Sequence, residues 1–265
     1  MFVFSSTSFT GDWRGRAIGN GGQSQVELIE SGQLETSLVV KRMGIGKHLS
    51  HEEAYSLYAQ LPAYWDALKL SGWNIPNMYD VAVYAGKRGL YIYSYEEYID
   101  GQSVGAHVAD KKWEIFRQLF SLLAIQRSVL WSVGGRILHR LRYGVDLKPD
   151  NLVFDNAGRV YLVDTFGPKT INERGKWMSY VRKLERLDEE SLMVVTATRE
   201  GMILRFLRLA EKGWSVEFAE SEMATRLHDC LLAAGISPGE SEFIISEVKR
   251  SYPWLDELYN SLAGE

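Results

Sequence analysis

The period of the apolar pattern changes near residue 100, and the change argues against an all-helical or an all-β fold. Before it the chain reads mainly as strands. Val26 to Ile29 alternates apolar and polar residues as a half-buried strand does. Leu38-Val39-Val40-Lys41 is rich in β-branched residues and predicts a buried strand that ends on a lysine. Val81 to Tyr84 and Leu90 to Tyr95 repeat the strand pattern. Glycines punctuate residues 11 to 30, and Ser31-Gly32-Gln33 and Asp100-Gly101 read as turns. One helix interrupts the strands. Ser50 suits its N-cap, Glu52 and Glu53 fall in its first turn, and Leu57, Leu61 and Trp65 share one face. Pro62 within that run predicts a kink or two abutting helices.

After the change the period is helical. Trp113, Phe116, Leu119, Phe120 and Leu123 form one stripe, and a second apolar, helix-like segment runs to about 142, broken at Gly134-Gly135. Residues 151–164 stand apart as a small hairpin: Leu152-Val153-Phe154, a turn at Asp155-Asn156-Ala157-Gly158, then Val160 to Val163. Beyond about 175 every pattern is helical; Trp177, Val181 and Leu184 share a face, as do Met223, Leu227, Cys230, Leu231 and Ala234. The expected fold is α+β in two lobes, a β-rich one over 1–100 and a helical one over 101–265.

Composition narrows the function classes. Net charge is −4 with both signs interspersed, so no basic face for nucleic acid stands out. With Cys230 as the single cysteine, no intrachain disulfide forms. The five histidines lack zinc spacing; His48 and His51 are three apart without a third ligand. Neither a basic-headed secretory leader nor an apolar run of membrane-spanning length is present, which predicts a cytoplasmic protein. A secreted effector with a non-cleaved signal reads the same way.

The chemistry concentrates in Gly144 to Gly167, GVDLKPDNLVFDNAGRVYLVDTFG. Fixing Asp, Lys, Pro and Asn at set offsets, each at roughly 5% usage, yields about 10⁻³ chance matches in a chain of this length. Asp146-Leu147-Lys148-Pro149-Asp150-Asn151, then a hairpin, then Asp164-Thr165-Phe166-Gly167 resembles the catalytic and metal-binding loops of eukaryotic-type protein kinases. The physics of phosphoryl transfer suits these types, because the reaction needs positioning and charge neutralisation more than covalent help. By the resemblance, Asp146 is the base on the attacking hydroxyl, Lys148 contacts the γ-phosphate, and Asn151 and Asp164 hold Mg²⁺ on ATP.

The resemblance extends upstream. Gly19, Gly21 and Gly22, in Ile18 to Val26, match the phosphate-covering glycine loop. Lys41 matches the strand lysine that pairs the α- and β-phosphates. Glu53 on the following helix matches its carboxylate partner, with Glu52 as the alternative. Tyr91 to Gly101 resembles the strand where adenine docks, with Glu97 offering a carbonyl and Ile99 its amide and carbonyl. Val26, Val39 and Val153 then line the adenine slot.

Departures from the family pattern shape the expectation. Gly144-Val145 replaces the His-Arg that precedes the catalytic aspartate, so activity gated by a phosphorylated loop is not expected. Thr165 is an insertion in the second motif, no Ala-Pro-Glu follows, and the tail beyond 175 does not match. Such losses resemble compact bacterial kinases. The expectation is an ATP- and Mg²⁺-dependent kinase acting on Ser or Thr of a protein substrate. A small-molecule kinase of the aminoglycoside or choline type and a pseudokinase scaffold are the alternatives; adenylyl transfer is a minor one.

Overall fold

The structure, a computed structural model, describes residues 15–20, 24–29, 37–43, 49–86, 89–107, 109–165, 169–171, 177–179 and 189–260. It is mixed α+β with antiparallel sheets. The chain divides into two compact units: Met1–Asp66 with Ile75–Asp100, and Ala67–Asn74 with Gly101–Glu265. Among the described residues no helix is long and apolar enough to cross a membrane.

In the first unit, β1 (Gly15–Asn20), β2 (Ser24–Ile29), β3 (Leu38–Met43), β4 (Met78–Gly86) and β5 (Gly89–Glu97) form a sheet in the order β1-β2-β3-β5-β4. Helix α1 (His51–Leu70) falls between β3 and β4. Strand β3 is buried on both faces, as its β-branched run predicts. One face sets Leu38 and Val40 against Ile29, Tyr93 and Tyr95. The register places Val26, Val39, Lys41, Ser94 and Glu96 on the other. Helix α1 buries Ala54, Leu57, Leu61, Tyr64 and Trp65. It runs unbroken through Pro62, so the two-helix alternative fails; burial of this stripe outweighs one lost backbone hydrogen bond.

The second unit opens with β6 (Gly101–Ser103), which pairs with a later strand. Gly101 therefore begins a strand and does not sit in the expected turn. A Cβ there would stand 2.4 Å from the Phe154 carbonyl oxygen, so close backbone approach explains the glycine. Next come α2 (Val104–His107), a 3-10 turn Ala109–Lys111 and α3 (Lys112–Ile125). Helix α3 buries Ile115, Phe116, Leu119, Phe120 and Leu123.

The segment expected as a second helix is instead a hairpin, β7 (Ser128–Val133) and β8 (Arg136–Leu141). Gly134 and Gly135 have φ of 55° and 72°, and two left-handed residues between paired Val133 and Arg136 make a type I′ hairpin turn. Val129, Leu130 and Ile137 remain exposed while Val133, Leu138 and Leu141 are buried, so the apolar residues of the segment do not form one core face.

Strand β9 (Tyr143–Gly144) leads to the 3-10 turn Pro149–Asn151, then β10 (Leu152–Asp155) and β11 (Val160–Leu162). These last two form the hairpin expected over 151–164. Strands β12 (Lys169–Ile171) and β13 (Trp177–Ser179) follow, pairing in the order β13-β12-β9. Trp177 is thus on a strand, not on the expected helix; Val181 and Leu184 lie outside the described residues. The unit ends with α4 (Glu189–Ala197), α5 (Arg199–Trp214), α6 (Ser221–Ala233), α7 (Pro238–Lys249) and α8 (Pro253–Asn260). Its core is aromatic: Phe116 makes ring contacts with Phe120, Phe206, Trp214 and Phe218, tying α3 to α5.

Candidate active site

The segment after β9 is extended, held where the Val145 N–H donates to the Thr196 carbonyl at 2.8 Å. Leu147 and Pro149 are buried, which fixes the backbone and leaves Asp146 and Lys148 part-exposed between them. One Asp146 carboxylate oxygen, Oδ2, lies 2.7 Å from Lys148 Nζ. The other, Oδ1, lies 3.1 Å from a guanidinium nitrogen of Arg205 on α5. The loop closes on itself twice. The Asn151 N–H donates to the Lys148 carbonyl at 3.0 Å. Asn151 Nδ2 donates to the Asp146 carbonyl at 2.8 Å.

Asn151 is buried, and its amide nitrogen is engaged, so Oδ1 is its end suited to a cation. The Val163 N–H donates to the Asn151 carbonyl at 2.9 Å, which brings the segment carrying Asp164 alongside Asn151. An amide oxygen and a carboxylate are hard donors of the kind Mg²⁺ takes. Thr165 is buried; Phe166 and Gly167 lie outside the described residues.

The hairpin between Asn151 and Asp164 is clamped by Asp155. Its Oδ1 accepts from the Ala157 and Arg159 N–H groups at 2.9 and 2.8 Å, and its Oδ2 from Arg159 Nε at 2.9 Å. Burial alone raises an aspartate; here the Arg159 and Ala157 hydrogen bonds and the Arg159 charge outweigh it and hold the Asp155 carboxyl below its ordinary value. Val153, on β10, is half-buried and pairs with Ser103 and Tyr161.

In the first unit Val26, Val39 and Lys41 share one sheet face. Val26 lies directly across from Lys41, and Val39 sits two residues before it on β3. Lys41 is buried, and the carboxylate the structure brings to its ammonium is Glu96 on β5. Glu96 also accepts from the Ser94 hydroxyl at 2.7 Å. Glu53, expected as the partner of Lys41, is exposed and put to another use. Its carboxylate accepts from the Ser50 N–H at 2.8 Å, and the Ser50 hydroxyl accepts from the Glu53 N–H at 3.2 Å. That is a capping box, the commonest employment of a glutamate three residues after a serine at a helix start. Glu52 is exposed.

Gly19 lies in β1, opposite Val26 and beside a register shift; Gly21 and Gly22 lie outside the described residues. The Glu97 N–H donates to the Asn77 carbonyl at 2.8 Å, and the Glu97 carboxylate accepts from Asn77 Nδ2 at 2.8 Å. Ile99 is half-buried in the segment that ends the unit.

Glu96 was legible in principle. Strand β5 alternates so that Leu90, Ile92, Ser94 and Glu96 face inward, and a carboxylate on a buried strand face demands a cation. Arg205 had no comparable signal, because it comes from a helix about 60 residues downstream of Asp146.

A second ionic cluster also escaped the sequence. His139 Nδ1 on β8 lies 2.7 Å from Glu200 Oε1 and 3.0 Å from Glu240 Oε1. Arg199 NH1 lies 2.8 Å from the same Glu240 oxygen. The three acidic and imidazole groups are arranged as metal ligands could be. Arg199, however, already supplies a cation to these two carboxylates. Both neighbours of Nδ1 are acceptors, which calls for a proton on that nitrogen. The cluster borders a cavity of about 320 Å³ with Arg136, Ile137 and Phe243. Cys230 offers no nucleophile, since burial pushes its thiol up to about 11.

No protein-family model matches the chain, and a search of curated proteins returned no match.

Proposed function

We propose that the chain is an ATP- and Mg²⁺-dependent phosphotransferase with the two-lobed protein-kinase-like fold, acting on Ser or Thr hydroxyls of a protein. The observation that carries the reading is the closed loop Asp146 to Asn151. One backbone stretch presents a part-exposed carboxylate, a lysine in contact with it and a buried amide, and it is tied to the segment bearing Asp164. A buried lysine–glutamate pair, Lys41 with Glu96, on a sheet face shared with Val26 and Val39 supports it further.

In this reading Asp146 orients the acceptor hydroxyl and takes its proton. Lys148 meets the γ-phosphate, and Lys41 the α- and β-phosphates. Asn151 and Asp164 hold Mg²⁺, which when bound neutralises phosphate charge. Glu96 holds the buried Lys41 ammonium in place.

Incubating the chain with Mg·ATP and measuring its intact mass tests the reading. A gain of one phosphate is expected, and the Asp164→Ala variant stays unmodified. Label found in a metabolite pool and on no protein moves the acceptor to a small-molecule alcohol. A gain of AMP mass marks adenylyl transfer. No Mg·ATP binding by calorimetry leaves a non-catalytic scaffold.

A further inference from the structure

We propose that Arg205 is a positioning residue for phosphoryl transfer, the fixed counter-charge that keeps Asp146 aimed when Lys148 leaves it for phosphate. This rests on the phosphotransferase reading. Arg205 projects from α5 and its side chain is only 5% exposed. A guanidinium taken out of water costs several kcal/mol unless a carboxylate and hydrogen bonds compensate it. The carboxylate brought to it is that of Asp146, the residue the loop motif makes the proton acceptor.

The two cations on Asp146 differ in kind. Lys148 is 32% exposed, on a flexible stem, two residues along the same loop. It can swing to another anion. Arg205 is planar, permanently charged and held by a helix whose neighbouring residues Ile203, Leu204, Phe206 and Leu207 are fully buried. It stays. Oδ1 therefore remains held by Arg205 while Oδ2, released by Lys148, faces the acceptor hydroxyl. In the step itself the hydroxyl proton passes to Asp146 Oδ2 and the hydroxyl oxygen bonds to the γ-phosphorus. The bond from that phosphorus to the bridging oxygen breaks, and its electron pair leaves with ADP. Without Arg205 the carboxylate loses both its nearest fixed charge and its aim, so it takes the hydroxyl proton less efficiently.

The test uses the full chain and follows ADP release and intact mass for wild type, Arg205→Met and Arg205→Lys. Arg205→Met should lower kcat about tenfold or more, the scale of a mispositioned acid–base group, with KM for ATP within about twofold. Arg205→Lys should recover part of kcat, because the charge returns. A merely structural arginine would change the folded fraction and leave kcat per folded molecule unchanged. A folded Arg205→Met variant with wild-type kcat overturns the proposal and leaves the phosphotransferase reading standing. If the Met variant does not fold, Arg205→Lys decides: an unchanged kcat overturns the proposal, and a reduced kcat at unchanged KM supports it. A wild-type chain without turnover overturns both.

Discussion

Two clusters of charge in the second unit are built from the same ingredients and differ in the burial of their carboxylates. In the His139 cluster Glu200 and Glu240 are 2% and 8% exposed, His139 is 27% exposed, and Arg199 pairs with Glu240. That cluster joins β8, α5 and α7, and Arg199 Nε also donates to the Leu123 carbonyl at 3.0 Å, at the last turn of α3. In the Asp146 cluster the arginine end is closed and the lysine end is open. Carboxylates buried against fixed partners hold elements together. A cluster with one mobile, solvated partner can exchange that partner for a ligand. The same residue types thus serve cohesion in one place and, in our reading, chemistry in the other.

The largest effect that would break this contrast is on activity. Asp146→Ala should reduce phosphate transfer by about 10²–10⁴-fold, the range for losing a positioned acid–base group. Its melting temperature should also fall, because the variant takes a carboxylate from the buried Arg205 guanidinium. Mg·ATP binding, followed by calorimetry, should persist. A large fall in melting temperature with little loss of rate would put Asp146 in the same structural class as Glu240.

Glu240→Ala should do the reverse. It strips the counter-charge from buried Arg199 and removes the α7 capping box with Ser237. Breaking a buried pair by deleting one partner costs about 3–5 kcal/mol. Urea unfolding at neutral pH reads this loss, while turnover per folded molecule should be unchanged. A loss under about 1 kcal/mol would mean the cluster is an exposed pair in energetic terms.

How far the sequence anticipated these clusters depends on where their partners sit. Local patterns were legible: the β10–β11 hairpin, the α1 start at Ser50, the α3 stripe and the buried β3 all follow from period and capping chemistry. The β7–β8 hairpin was misjudged because an apolar run was read as a helical face and Gly134-Gly135 as its break, when two adjacent glycines are a stronger turn signal than a helix interruption. Within the candidate site, Asp146, Lys148 and Asn151 fall together because they lie on one short loop. Arg205, Glu96 and the His139 partners reach their places through tertiary packing, which no period in one stretch of sequence encodes.

The β7–β8 turn also tests whether the closed cluster depends on its scaffold. Gly134→Ala forces a side chain into left-handed backbone, at about 1–2 kcal/mol. No neighbouring atom lies within 4 Å of the added Cβ, so the cost is conformational alone. Thermal unfolding should show this modest loss, and turnover should be unaffected. A loss as large as that of Glu240→Ala would show that His139 and its cluster come apart when the hairpin turn is strained.

The smallest effect is the pH dependence of stability, and its sign separates the clusters without any mutation. Burial raises the Glu240 carboxyl, but the Ser237 hydrogen bond, the Arg199 bond and charge, and the His139 charge outweigh it and leave it below its ordinary 4.5. A depressed carboxylate contributes stability that is complete above the unfolded value and is lost as pH falls through the folded one. Asp155, held below an ordinary 3.8, adds to the same loss. Glu211 works in the opposite direction. Burial raises it above 4.5, so its protonation favours the folded state as pH falls through the raised value. The melting temperature should therefore hold or rise slightly as pH is lowered toward 4.5, and fall below it. Glu240→Gln should flatten that acid fall relative to wild type. An acid fall identical in Glu240→Gln and wild type would remove the His139 cluster from the set of groups that hold the second unit together.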